Sequence, residues 1–113
     1  MLSFSTAKPN ALLAAIKAKI DNGHITTWRY DNDGDFTHVP AQWAGKAWMR
    51  PQVVNGEALK FNIIYPRGRT ADREIYAVYH GRFSEMMLAH FDSDFTRITA
   101  TALLAGGDQA AAA

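Results

Sequence analysis

Ala47-Trp48-Met49-Arg50-Pro51-Gln52-Val53-Val54-Asn55-Gly56-Glu57-Ala58-Leu59-Lys60-Phe61-Asn62-Ile63-Ile64-Tyr65 is two apolar runs joined by Asn-Gly. Asn and Gly both tolerate positive φ, so this pair between apolar runs is the strongest short-range hairpin signal. The stretch reads as two antiparallel strands, 47–54 and 57–65. A two-residue loop sets Val54 opposite Glu57, Trp48 opposite Ile63 and Arg50 opposite Phe61. Leu59, Phe61, Ile63 and Tyr65 then share the buried face, and so does Arg50. Pro51 offers relief, because it cannot donate to a ladder and favours a bulge or a sheet edge. The expectation is a bulge or edge at Pro51 that turns Arg50 outward.

Upstream of this hairpin, 25–30 is rich in β-branched and aromatic residues and reads as a strand. Asp31-Asn32-Asp33-Gly34-Asp35 is a turn with Asp-Gly, and 36–39 is a second short strand ended by Pro40. Residues 41–45 read as a helical turn around Trp43. Before these strands, Leu12, Leu13, Ile16 and Ile20 recur on one helical face, predicting a helix over 7–22. Thr6 is its expected N-cap, Pro9 is tolerated in the first turn, and Asn22-Gly23 is the stop.

Downstream, 66–73 is a long polar loop. Residues 74–80 alternate Ile75, Ala77, Tyr79 against Tyr76, Val78, His80 and read as a fifth strand, broken by Gly81. Phe83, Met86, Met87, His90 and Phe91 fit a helical face, predicting a second helix over 82–92. A last strand covers 96–102. The order α-β-β-β-β-β-α-β implies an α+β domain over 1–103: a mainly antiparallel sheet of about five or six strands, with two amphipathic helices packed on one face. Residues 104–113, Ala/Gly-rich, are expected to form a disordered tail.

Composition bounds the function. The chain has 113 residues, 48% of them hydrophobic, enough for one domain with a core. Twelve Lys and Arg against eleven Asp and Glu leave a formal charge of +1, so no strong global field draws nucleic acid or an anionic membrane. The absence of cysteine excludes a disulfide framework, a thiolate nucleophile and Cys-ligated zinc. The first residues lack the basic start and apolar run of a secretory signal, and no segment reaches the ~20 apolar residues that span a bilayer. The expected location is the cytoplasm, and a short chain without cysteine is compatible with a bacterial one.

Motifs for chemistry are sparse. Asp31, Asp33 and Asp35 resemble the opening of a calcium loop, but the sixth and twelfth positions hold Phe36 and Gln42 in place of Gly and Glu, so a polar turn is the better account. His24, His38, His80 and His90 have no spacing typical of metal ligands, and His90 lies on an apolar helical stripe as a core histidine would. No nucleophile elbow, dinucleotide fingerprint or P-loop occurs. No metal and no cofactor are expected. Two candidate sites remain. Arg67, Arg69 and Arg73 with Arg82 and His80 can grip a phosphate or carboxylate if the loop folds back onto the second helix; the plain alternative is an exposed loop partly neutralised by Asp72 and Glu74. Trp28, Tyr30 and Trp48 form a protein-interface patch if they lie on an open sheet face, and core if they do not.

The expected function is non-catalytic: a binding module for a protein partner or for its own copy as a homodimer, through the tryptophan face. The alternative is a small anionic-ligand binder or enzyme using the arginine loop.

Overall fold

A computed structural model of the chain describes residues 1–109. In chain order the elements are β1 (Leu2–Ser5), α1 (Pro9–Asp21), β2 (Trp28–Tyr30), β3 (Phe36–His38), β4 (Trp48–Val54), β5 (Ala58–Ile64), α2 (Arg73–Phe91) and β6 (Ile98–Ala100). The strands form one six-stranded sheet in the order β2-β3-β4-β5-β1-β6, with every neighbouring pair antiparallel. Both helices cover the same face. Leu12 and Ile16 of α1 and Phe83 and Met87 of α2 share one core with the inward residues Leu2, Phe4, Phe36, Met49 and Phe61. The α+β class, the antiparallel sheet and the paired helices are those the sequence predicts.

Two elements correct the expected order. Residues 74–80 are not a strand; they are the first half of α2. The helix starts at Asp72, whose carboxylate accepts the Ile75 N–H at 3.0 Å, with Glu74 in the first turn beside the positive end of the helix dipole. Tyr79, His80, Phe83, Met86, Met87 and Phe91 form one continuous buried stripe at helical spacing, and Gly81 continues the helix within it. The sheet still has six strands because Leu2–Ser5 supplies one the sequence reading omits. Its Leu and Phe point into the core, and it pairs with β5 on one side (Leu2↔Phe61) and β6 on the other (Leu2↔Ala100). Four residues form a strand here because both flanking ladders satisfy their backbone groups.

The central hairpin also shifts by one residue. The Glu57 N–H donates to Val54 C=O at 3.0 Å, and Gly56 alone takes positive φ, 72°, the pattern of a type II turn rather than I′. Val54 therefore faces Ala58, Trp48 faces Ile64 and Arg50 faces Asn62. Pairing runs without interruption from Trp48 to Val54, so no bulge is present. The shift itself turns Arg50 to the outer face, while Leu59, Phe61 and Ile63 stay in the core. Pro51 lies beyond the reach of β3, which pairs with β4 at Met49, so its missing N–H meets a local edge.

Helix α1 begins later than expected. Lys8 occupies its N-cap without a side-chain bond, and the Thr6 hydroxyl accepts the Lys8 N–H at 3.1 Å instead. It ends at Asn22 with Gly23 at φ 82°, as the Asn-Gly stop predicts. The two helices also touch directly: Lys19 Nζ donates to His90 C=O at 3.1 Å and lies 4.9 Å from the centre of the Phe91 ring.

Candidate functional site

The residues after β6 form a strap that closes the end of the sheet. Thr101 N–H donates to Met1 C=O, and the chain then crosses from α2 to the outer face. The Ile63 N–H donates to Asp108 Oδ1 at 3.1 Å, and Gln109 N–H donates to Ile63 C=O at 3.1 Å. Asn62 Nδ2 adds bonds to Gly106 C=O and Asp108 Oδ1. Position 107 accepts only glycine here: its φ is 93°, and a Cβ would stand 2.8 Å from the Asn62 side chain. Residues 105–109 are thus a bonded segment where the sequence reading has a disordered tail, and residues 110–113 of that tail lie outside the described residues.

Beside the strap, the α-amino nitrogen of Met1 sits in a polar cage. It donates to Tyr76 Oη at 2.9 Å, Thr101 Oγ1 at 3.0 Å and Asp108 Oδ2 at 3.0 Å, and lies 2.9 Å from His80 Nε2. His80 Nδ1 is 2.7 Å from the Tyr76 carbonyl, which can only accept, so Nδ1 carries the proton and Nε2 presents a lone pair to the ammonium, making four acceptors share its three N–H groups. Burial, reinforced by the Met1 ammonium, pulls the His80 pKa down to about 4. Burial alone raises that of Asp108, but bonds from Ala105, Asn62 and the Met1 ammonium outweigh it and hold the carboxyl below its ordinary range.

Where the strap meets the start of α2, two hollows adjoin. The first, about 350 Å³, is walled by Tyr65, Ala71, Tyr76, Ala102, Leu103 and Leu104, with Arg73 at its rim. The second, about 220 Å³, shares Tyr65, Ala71 and Asp72 with the first and adds Lys46 and Arg69. Leu103 is 80% exposed and Leu104 39%, and with Leu88 they are the exposed large hydrophobics of the described residues. The loop that carries Arg69 is shaped by Gly68 at φ 81° and by the Arg69 N–H donating to Pro66 C=O.

The predicted site residues divide accordingly. Arg69 and Arg73 reach this twin hollow, and Arg67 is exposed in the same loop. Arg82 does not join them: it lies near His38, whose pKa burial lowers and the Arg82 charge lowers further. His80 is turned into the amine cage. The five groups therefore do not converge on one anion: on α2, Arg82 lies about half a turn round from Arg73, and His80 is about two turns further along the helix than Arg73.

The tryptophan patch is likewise divided. Trp28 is 1% exposed and packs against Tyr79 and Phe83 in the core. Tyr30 shares its face, half-buried, with its hydroxyl donating to Asp21 and Lys17 Nζ 5.3 Å from its ring centre. Only Trp48 of the three points outward, opposite Ile64. Pairing of Trp28 with His38 and Tyr30 with Phe36 decides this, since Phe36 is core.

The acidic turn brings oxygens of Asp31, Asp33 and Asp35 within 4.8 Å of one another. Two of its three carboxylates have protein partners: Asp31 Oδ1 accepts the N–H of Asp33 and Asp35, and Asp35 takes a two-point grip from Arg50 at 2.9 and 3.1 Å. A further hollow, about 580 Å³ between the start of α1 and 93–96, has the hydroxyls of Thr6 and Thr96 in its lining, each bonded to backbone, Thr6 accepting from Lys8 and Thr96 donating to Ser5.

No known family, characterised protein or solved structure matches the chain. The site must therefore be judged on its chemistry. Its walls from Lys46, Tyr65, Tyr76, Leu103 and Leu104 escape a sequence reading that puts 74–80 in a strand and leaves the tail unpacked. Asp108, a lone charge in an Ala/Gly-rich stretch, is the one visible clue to the strap.

Proposed function

We propose that the protein is a non-catalytic interaction module of the cytoplasm that needs no cofactor and binds another protein, or a second copy of itself, through the twin hollow at the start of α2. One observation carries this reading: Leu103 stands 80% exposed on the wall of an apolar hollow that has Arg73 at its rim and adjoins the lobe holding Lys46 and Arg69. A small ligand inside the hollow leaves most of that leucine in water, whereas a protein surface seated over it buries it. This reading replaces the tryptophan face as the binding surface. Among the described residues no helix is long and apolar enough to cross a membrane.

The test is a photo-crosslinking residue at Leu103, compared in the producing cell with one at Leu88, exposed elsewhere on α2. A discrete protein adduct at Leu103, lost when Arg69 and Arg73 are both changed to Glu, supports the reading, and an adduct to a second copy supports its self-association form. No adduct above the Leu88 control overturns it. The basic lobe with Lys46 and Arg69 favours a second reading, a small anionic ligand. Native mass spectrometry tests it, since a retained anion would add its mass to the monomer.

A further inference from the structure

We infer that the partner's contact is an acidic peptide segment that seats one large apolar side chain between Tyr65, Tyr76 and Leu104 and lays carboxylates against Lys46, Arg69 and Arg73; this rests on the reading of the hollow as the binding surface. The two lobes differ in chemistry and share a wall. The first is walled mainly by rings, alanines and leucines, and at about 350 Å³ has room for one large side chain with its backbone. The second, about 220 Å³, is polar and holds Lys46 and Arg69. Tyr65, Ala71 and Asp72 belong to both, so one ligand that reaches past this shared wall can occupy both lobes. An apolar anchor with a carboxylate beside it in the chain satisfies that adjacency.

Charge sets the sign of the partner. Arg69 and Arg73 are exposed, and each guanidinium can hold a carboxylate with two parallel hydrogen bonds. The acid at the shared wall, Asp72, has an oxygen occupied by the Ile75 N–H. The Tyr65 hydroxyl donates to the Asp72 carbonyl at 3.4 Å, which ties the ring to the wall that the two lobes share. Lys46, Arg69 and Arg73 against Asp72 and the neighbouring Glu74 leave the rim net positive, which disfavours a basic segment, and an uncharged one leaves the cations unpaired.

The experiment is selection of a displayed random-peptide library on the intact protein, followed by fluorescence anisotropy with the best synthetic peptide. The expected result is enrichment of a large apolar residue with Asp or Glu adjacent to it. Binding should weaken about tenfold in the Arg69→Glu, Arg73→Glu double variant and fall with rising salt. Leu104→Asp should also abolish it, whereas Arg29→Glu, a cation on β2, should leave it unchanged. Circular dichroism melts confirm that each variant is folded. Basic or uncharged winners, or acidic winners indifferent to these changes, overturn the inference while leaving the Leu103 crosslink standing. No enriched peptide alongside a Leu103 adduct to a folded protein also overturns it, since the contact is then not a linear acidic segment. No peptide and no adduct means that the reading of the hollow itself fails.

Discussion

The two halves of α2 hold to the sheet by different forces. From Phe83 to Phe91 the helix is fixed by rings and thioethers. Phe83 alone lies 4.5–6.1 Å, centre to centre, from Phe4, Trp28, Phe36 and Phe61. From Arg73 to His80 the helix adds a polar cage to the core contact of Tyr79 with Trp28: Tyr76 and His80, stacked 3.7 Å apart, face the Met1 ammonium and Thr101. Apolar packing holds no titrating group and weakens with lost contact area. A buried polar cage depends on the protonation of each member and is costly once a member is missing. The Phe83–Phe91 half is therefore the permanent one, and the proposed binding end stands on the adjustable Arg73–His80 half.

Three measurements would sharpen or break that contrast. Phe83→Ala should have the largest effect, lowering unfolding free energy by about 3–5 kcal/mol in denaturant titrations, because it leaves a cavity among four other rings. A loss under about 1 kcal/mol would mean that the ring cluster is not the anchor.

Acid comes next. His80 has an ordinary pKa of 6.5 and one of about 4 in place, so between those values the unfolded chain binds the extra proton. Stability should be full above pH 6.5 and decline as pH falls toward 4, by about 3 kcal/mol from this group. His38, lowered in the same direction, adds to the slope. Replacing His80 with Gln, which can still accept from the ammonium, should flatten the slope; an unchanged slope in urea melts across this range would remove His80 from the account.

The smallest effect is expected at the strap. Asp108→Ala removes the acceptor shared by Ala105, Asn62, Ile63 and Met1, and should cost about 2 kcal/mol. Hydrogen exchange should locate the change at the Ile63 amide while amides of the Phe83 half stay protected. Uniform loss of protection would mean that the two halves of the helix do not differ as argued.

Much of the architecture was legible in the residues. The Asn55-Gly56 turn, the Asp-Gly turn at 33–34, the Leu12–Ile16 face of α1 and the Phe83–Phe91 face of α2 are short-range signals, and each formed at its place in the chain, the Asn55-Gly56 turn with a different turn type and a register one residue away. The candidate site was far less legible. Arg69 and Arg73 could be named, but Tyr65, Tyr76 and the leucines of the strap could not be assembled around them.

Local chemistry determined the α+β class, the hairpins and the polar acidic turn, because turn dihedrals and apolar periodicity act over a few residues. Tertiary structure decided what required a distant partner. Residues 74–80 alternate like a strand, yet they are helical because the Phe83 stripe extends back through Tyr79 and His80 onto the sheet. Leu2–Ser5 is a strand because β5 and β6 flank it, and 105–109 is bound because Asn62, Ile63 and Met1 lie beneath it. In each case the deciding hydrogen bond or contact comes from far along the chain, where a local pattern carries no information.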